Sequence, residues 1–340
     1  MSALGRQIDW LQAYCPDNET IPPRLRLLWL SARLAHANHL GKLEQDWMVE
    51  MQELGSLLME EDAPTVCWAD LHLAVNATNR YDFAQASQCL ERWINLPRSV
   101  PGLRYWAQAA SSLGQHAAFV NQPEKAQAFF NAALEAFGKL SEEKQRVKEI
   151  KQTGTYLAIV EIDHGDETSS RQALELVIGL LPSAIERLAK SDAENDKFSH
   201  HLLLRWLVYC GDKNERQTYL AQREHWQCGY GHPWSLIQLY RGILLRETDR
   251  SAAYKLMKEG YTLAMESEQG PTVQLIGACC RVASMALGDD SWPDSETLLR
   301  SLEQQLPAAK SHIGALRNYI SAPSEDILEL LPEVLPFNFH

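Results

Sequence analysis

Apolar residues recur at helical spacing along almost the whole chain, and this periodicity restricts the fold more than any other feature of the sequence. Leu25, Leu28, Trp29, Ala32 and Ala35 form one such set, and Leu202, Leu203, Trp206 and Tyr209 form another. Strand-like alternation is nearly absent. Its best candidate, Tyr156 to Ile162, sits in a stretch with Lys148, Glu149, Lys151 and Glu161, and the helical pattern continues on both sides of it. The chain therefore reads as all-α.

Turn and cap signals divide it into helix pairs over roughly 24 to 58, 65 to 97, 102 to 140, 145 to 190, 196 to 226, 233 to 267 and 271 to 306. The pairs start about 37 to 51 residues apart, in the range of helical repeat arrays. Pro64 precedes a helix, Pro97 and Pro101 flank a break, Gly211-Asp212 lies between two helices, and Gly270-Pro271 opens another. Gly288-Asp289-Asp290 sets off the last pair. Residues 1–23 form an N-terminal segment, 24–306 the array and 307–340 a cap. In the cap, Pro307 to Ile320 and Ser324 to Leu331 read as short helices, followed by the apolar, proline-broken tail Leu335-Pro336-Phe337-Asn338-Phe339-His340. The unit at 145–190 is longer than its neighbours, so a bend or a division into two lobes is expected there. One pair cannot cover its own apolar face. Neighbouring pairs must stack, and stacking generates a superhelix whose concave face is the natural place for a ligand.

The formal net charge of −12 argues against nucleic acid as the main partner, because binding phosphates needs a basic face. No apolar run is long enough for a spanning helix, and Met1 to Pro23 lacks the basic start and apolar run of a signal peptide, so the expected location is the cytoplasm. The seven cysteines are odd in number and scattered, as buried small hydrophobes in a reducing compartment would be.

Residues 113 to 134 carry a more specific pattern. Leu113-Gly114 and Ala117 lie in a first helix, Asn121-Gln122-Pro123 in a turn, and Ala126, Phe130, Ala133 and Leu134 in a second helix. Small residues at 114, 126 and 133 allow close helix approach, and Leu113 and Phe130 fill the spaces between. This stretch resembles a tetratricopeptide repeat. A second match covers 65 to 97, with Asn79-Arg80-Tyr81-Asp82 as the turn and Ala86, Leu90, Trp93 and Pro97 in and after the second helix. A third runs from Tyr240 to Ala264, where Thr248-Asp249 caps a helix whose packed face carries Ala253, Met257 and Tyr261. The resemblance covers about three units, and the 34-residue spacing of the family is not kept elsewhere. It implies a right-handed superhelix of stacked antiparallel pairs, about seven of them plus the cap. It also implies that peptides or partner proteins bind along an inner groove lined by the first helix of each pair.

Enzyme signatures are missing: there is no glycine-rich phosphate loop, His-Glu-x-x-His, Gly-x-Ser-x-Gly or Cys-x-x-Cys. No cofactor is expected. His225, Cys228 and His232 form the most metal-like cluster, but it lacks a fourth ligand nearby and reads better as a loop between pairs with two glycines relieving backbone strain, so no metal is expected. Cys279-Cys280 reads as helix packing, since adjacent helical cysteines diverge. His200 and His201 diverge likewise, which places His200 in solvent and His201 beside a groove or partner helix.

Candidate partner-binding residues are the arginines on the first helices, Arg33, Arg104, Arg205, Arg241 and Arg281, the last three at intervals that match the repeat. Lining a groove, they would take carboxylates or an acidic segment of a partner. Otherwise they are solvated, or they pair with acidic residues of neighbouring helices. Asn76 and Asn79 can donate to a bound peptide backbone, although Asn79 also suits a helix end in left-handed geometry. Trp68, Trp106, Trp206 and Tyr240 serve either pockets or the core. The expected function is a non-enzymatic scaffold, adaptor or assembly chaperone that binds a protein or peptide. The alternatives are a regulatory sensor that changes shape on binding and, third, an enzyme with an unrecognised site.

Overall fold

The computed structural model describes residues 21–39, 47–95, 102–190, 197–229, 232–266, 270–288, 291–324 and 328, and every regular element among them is helical. The expected break at Pro97 and Pro101, most of the second capping helix, the tail from Leu335 and residues 1–20 lie outside these residues. The chain divides into two compact units, Met1–Ser112 and Leu113–His340.

The first unit holds α1 (Pro23–His39), α2 (Met48–Leu58), α3 (Ala63–Asn79), α4 (Phe83–Ile94) and the start of α5 (Leu103–Phe119). Asp62 caps α3 by accepting from the Thr65 backbone and hydroxyl, and Pro64 occupies the first turn, where no N–H is needed. Asp82 caps α4 through Gln85 N at 3.0 Å. Between them the chain reverses in a Schellman end: Asp82 N–H donates to Ala77 O at 2.9 Å, and Tyr81 N–H donates to Thr78 O at 2.8 Å. The left-handed residue is Tyr81, with φ 61°, and not Asn79, which is the last residue of the helix. The six-to-one bond to Ala77 fixes the position of that residue, and the buried Tyr81 ring holds it beside Phe83 at 5.9 Å. α3 packs against α1, α2 and α4.

The second unit begins within α5 and continues through α6 (Pro123–Gly138), α7 (Glu143–His164), α8 (Glu167–Ile178), α9 (Leu181–Ala189), α10 (Lys197–Tyr209), α11 (Lys213–Leu220), α12 (His232–Leu245), α13 (Arg250–Glu266), α14 (Pro271–Leu287), α15 (Ser295–Gln305) and α16 (Lys310–Ser321). Tyr156 to Ile162 is helical, inside α7. The region 145–190 contains three helices and not a pair, because Gly179 at φ 83° ends α8 and Pro182 starts the short α9. Asp212 and Glu215 form a capping box on α11, and Asp249 caps α13 through Ala252 N at 3.0 Å.

Each helix from α6 to α16 packs on the next, and α7–α10, α10–α12, α12–α14 and α14–α16 also touch. Alternating contacts of this kind are what stacked helix pairs produce, and they are compatible with a helical repeat. Close approach depends on small residues. A Cβ on Gly114 would lie 2.7 Å from the Phe130 ring, and one on Gly260 would lie 2.9 Å from Ser235 O. Among the described residues, no helix is long and apolar enough to cross a membrane.

Candidate functional site

In the first unit, α3 is enclosed on all sides but one. Asn38 on α1 donates to His72 O at 2.8 Å, and Asn76 donates to Asn38 Oδ1 at 3.0 Å. Asn76 is therefore fully buried as a bridge between α1 and α3, and presents nothing to a peptide. On the α4 side, Trp93 Nε1 donates to Asp70 Oδ2 at 2.7 Å, with the Arg92 guanidinium 3.2 Å from the same oxygen. Burial raises the Asp70 carboxyl to about 6 against the pull of Arg92 and Trp93.

The remaining face of α3 carries Trp68, Leu71, His72 and Val75 at helical spacing. Trp68 is 38% exposed and Val75 36% exposed, with Leu71 and His72 half-buried between them. The His72 ring meets Trp68 edge-on at 5.0 Å, and burial lowers the His72 imidazole to about 4, so it is neutral at physiological pH. On α1, Arg26 bonds Glu50 of α2, and Arg33 stacks between Trp29 and Trp47 at 4.3 and 4.1 Å. The side of α1 turned away from those contacts carries half-buried Leu28, Ala32 and Ala35. The outward face of α3 thus exposes uncharged, mostly apolar surface, while the α1 face combines apolar residues with the exposed Arg24, which pairs with Asp62. Arg104, near the start of α5, is half-buried.

In the second unit the corresponding helices leave almost no open face. α10 is buried from Ser199 to Leu207 and α12 from Pro233 to Ile243, so a side chain on either helix meets another helix whichever way it points. Arg205 is 1% exposed and makes a bidentate pair with Asp163 of α7, at 2.8 and 2.6 Å, while Nη1 donates to Tyr240 Oη at 3.0 Å. Burial by itself would lower the guanidinium pKa, and Asp163 with Tyr240 outweighs it and holds it raised. His201 stacks on the Tyr240 ring at 5.8 Å. His200 is also buried, at 1% exposure, and its Nε2 lies 2.7 Å from Tyr219 Oη. The expectation of a solvated His200 fails because α10 has no solvent face.

Arg241 is 1% exposed and bonds Tyr219 Oη, Gln227 O and Gln238 Oε1, with the Trp226 ring 4.8 Å from Cζ. Arg281 donates to Ser284 Oγ and Ser291 O. As placed, Arg205 cannot reach a partner carboxylate without giving up these internal bonds, and Arg241 is held away from a partner by its burial. Pairing with a neighbouring helix, the second of the two readings left open by the sequence, is what Arg205 does. Its partner Asp163 was not singled out in the sequence. The available signal was that Asp163, Arg205 and Arg241 fall on successive first helices.

Trp106 and Trp206 belong to the core, as does Tyr240, and Cys279 and Cys280 are fully buried. His225 is half exposed beside Glu224, and Cys228 is exposed. Among the described residues, no group of three His, Cys, Asp or Glu side chains is placed to hold a metal ion. No protein-family model matches the chain, and no curated protein or solved structure is significantly similar to it. The tetratricopeptide resemblance therefore rests on the residues and on helix packing alone.

Proposed function

We propose that the chain is a tetratricopeptide-like right-handed array of stacked helix pairs that works as a scaffold, adaptor or assembly chaperone and catalyses no reaction. It binds a peptide or partner protein on the outward face of α1 and α3. The observation that supports this reading best is the strip of exposed Trp68 and Val75 with half-buried Leu71 on α3, and α1 carries half-buried Leu28, Ala32 and Ala35 of its own. An exposed tryptophan on an apolar strip is a residue type often found to anchor a partner. Rigid first helices present it without an ordering cost.

A peptide-display selection against the full chain tests the reading. Binders are expected to lose affinity with Val75→Lys and to keep it with Leu57→Lys, an equally conspicuous exposed position on α2. Binders that respond to both substitutions alike, or to neither, would remove this face as the site.

A further inference from the structure

The large aliphatic side chains exposed among the described residues of the second unit are Val120, Val147, Leu176 and Leu180, and the last three lie on one edge, where α7 meets α8. Two contacts fix how these helices run past each other. Ser170 Oγ donates to Glu161 O, and a Cβ on Gly154 would lie 3.2 Å from Val177 Cγ2 and 3.7 Å from Leu176 Cδ2. Residue numbers thus fall along α7 as they rise along α8, so the chain beyond Leu176 advances from Gly154 past Lys151 towards Val147. Leu180 stands in the turn that ends this run and is 71% exposed. That turn is braced on both sides: the Glu175 carboxylate accepts from Leu181 N at 3.1 Å, and Arg187 Nη2 donates to Ile178 O at 3.1 Å. Leu180 is the N-cap of α9, and its side chain makes no cap bond. A serine or aspartate would serve the helix better there, so the fold gains nothing from a leucine in water at this position.

Beside these side chains α7 presents Lys144, Lys148 and Lys151, all exposed and about one helical turn apart. Val147 and Gly154, seven residues apart, share the side of α7 that α8 approaches, and the lysines occupy the adjoining side. Among the described residues none of the three lysines is in an ion pair. Arginines of the same unit are paired, Arg171 with Glu215, Arg205 with Asp163 and Arg317 with Glu296 and Glu303. The acids of this stretch do not neutralise the strip, because Glu149 is buried and bonded by Gln145, and Glu142 and Glu143 stand at the first turn of α7, where carboxylates suit the helix end. In a chain of net charge −12 the edge is therefore a basic strip bordered by apolar side chains.

We propose that this edge docks an acidic amphipathic helix of a partner protein, whose carboxylates meet Lys144, Lys148 and Lys151 while its apolar side chains cover Val147, Leu176 and Leu180. Successive lysines are separated by about 6 and about 4.5 Å along the α7 axis, the same rise as between glutamates at i, i+4 and i+7 of a helix lying alongside. An anionic membrane would attract the same lysines, but a flat surface also meets Glu142 and Glu143 and the negative charge of the whole chain, whereas a single helix leaves those acids in water. The edge belongs to the second unit, and it does not depend on the apolar face of α1 and α3.

The test is a selection from a displayed library of helical peptides against the full chain, with the Lys148→Glu, Lys151→Glu double variant as the counter-selection. Peptides with acids at i, i+4 and i+7 beside leucine or phenylalanine should be enriched, and as synthetic peptides they should bind more weakly as salt rises. The double variant should bind them at least about tenfold more weakly. Leu180→Ser should weaken them roughly tenfold while leaving the urea midpoint of the chain no lower, since serine can cap α9. Val75→Lys should leave their affinity unchanged, which separates this edge from the face of α1 and α3. A selection that enriches no acidic helix would overturn the proposal, as would binders indifferent to the charge reversal or to Leu180→Ser. Vesicles containing phosphatidylserine that bind through Lys148 and Lys151 where no peptide does would reassign the edge to a membrane, and a free chain that dimerises through the same lysines would reassign it to a second copy.

Discussion

Asp70→Asn should stabilise the first unit at neutral pH and flatten part of its pH dependence. The Asp70 carboxyl is 3% exposed and, mainly through burial, is raised from its ordinary value of 3.8 to about 6. A folded-state value above the unfolded one means that the folded chain binds this proton more tightly. The stabilisation that proton provides is full below the unfolded value and is lost as pH rises through about 6. The interval corresponds to roughly 3 kcal/mol lost between about pH 4 and pH 7. Asparagine keeps an acceptor for Trp93 Nε1 and forgoes the Arg92 contact. The value of about 6 already includes the pull of the Arg92 guanidinium on the carboxylate, so losing that contact is part of the roughly 3 kcal/mol and not a further deduction. The net expectation is a gain of up to about 3 kcal/mol at neutral pH and none in acid. Urea unfolding followed by far-ultraviolet circular dichroism, run in parallel on both proteins, isolates the effect. Every other titrating group is common to the two, so only the gap between them matters. Peptide-resolved hydrogen exchange then assigns the gain to α3 and α4. A gap that is constant across the pH range, or a variant less stable at neutral pH, would refute the reasoning.

Gln122 occupies the same turn position as Asp82 but makes no side-chain cap bond to α6, so Gln122→Asp should add about 1 kcal/mol, read as a higher urea midpoint. Gly114→Ala should cost about 1 to 2 kcal/mol despite alanine's better helix propensity, because the new methyl meets the fully buried Phe130 ring; an unchanged or raised midpoint would show that the ring can move aside. Asp163→Asn strands the buried Arg205 charge and should cost about 3 to 5 kcal/mol, whereas Asp163→Leu combined with Arg205→Met should recover most of that; a single variant as stable as the parent would contradict the buried pair.

Helix starts were legible because their chemistry is local. Pro64, Asp212, Asp249 and Pro271 each sit where a cap or first turn needs them. The three-helix region was partly legible too, since Gly179 and Pro182 are the ordinary end and start signals, but a short amphipathic helix such as α9 is easily absorbed into the preceding one. Side-chain direction was not legible on α10 and α12. A helix buried all round has no polar face against which to set its phase, so arginines at repeat intervals suit a groove as well as a core. The partner that decides the matter for Arg205 lies 42 residues away on α7. Asn76 was misleading for the same reason, because its partner Asn38 lies on another helix. The strip on α3 was visible only as Trp68 in a list of aromatics. Its exposure depends on which three sides of the helix its neighbours cover.

Hydroxyl-radical footprinting of the full chain, free and with a selected peptide bound, tests the apolar docking face most directly. Trp68 and Val75 should oxidise readily in the free chain and become protected on binding, while buried Trp93, Trp206 and Trp234 stay silent in both states. A Trp68 as silent as Trp206 before binding, or just as reactive after it, would contradict the account.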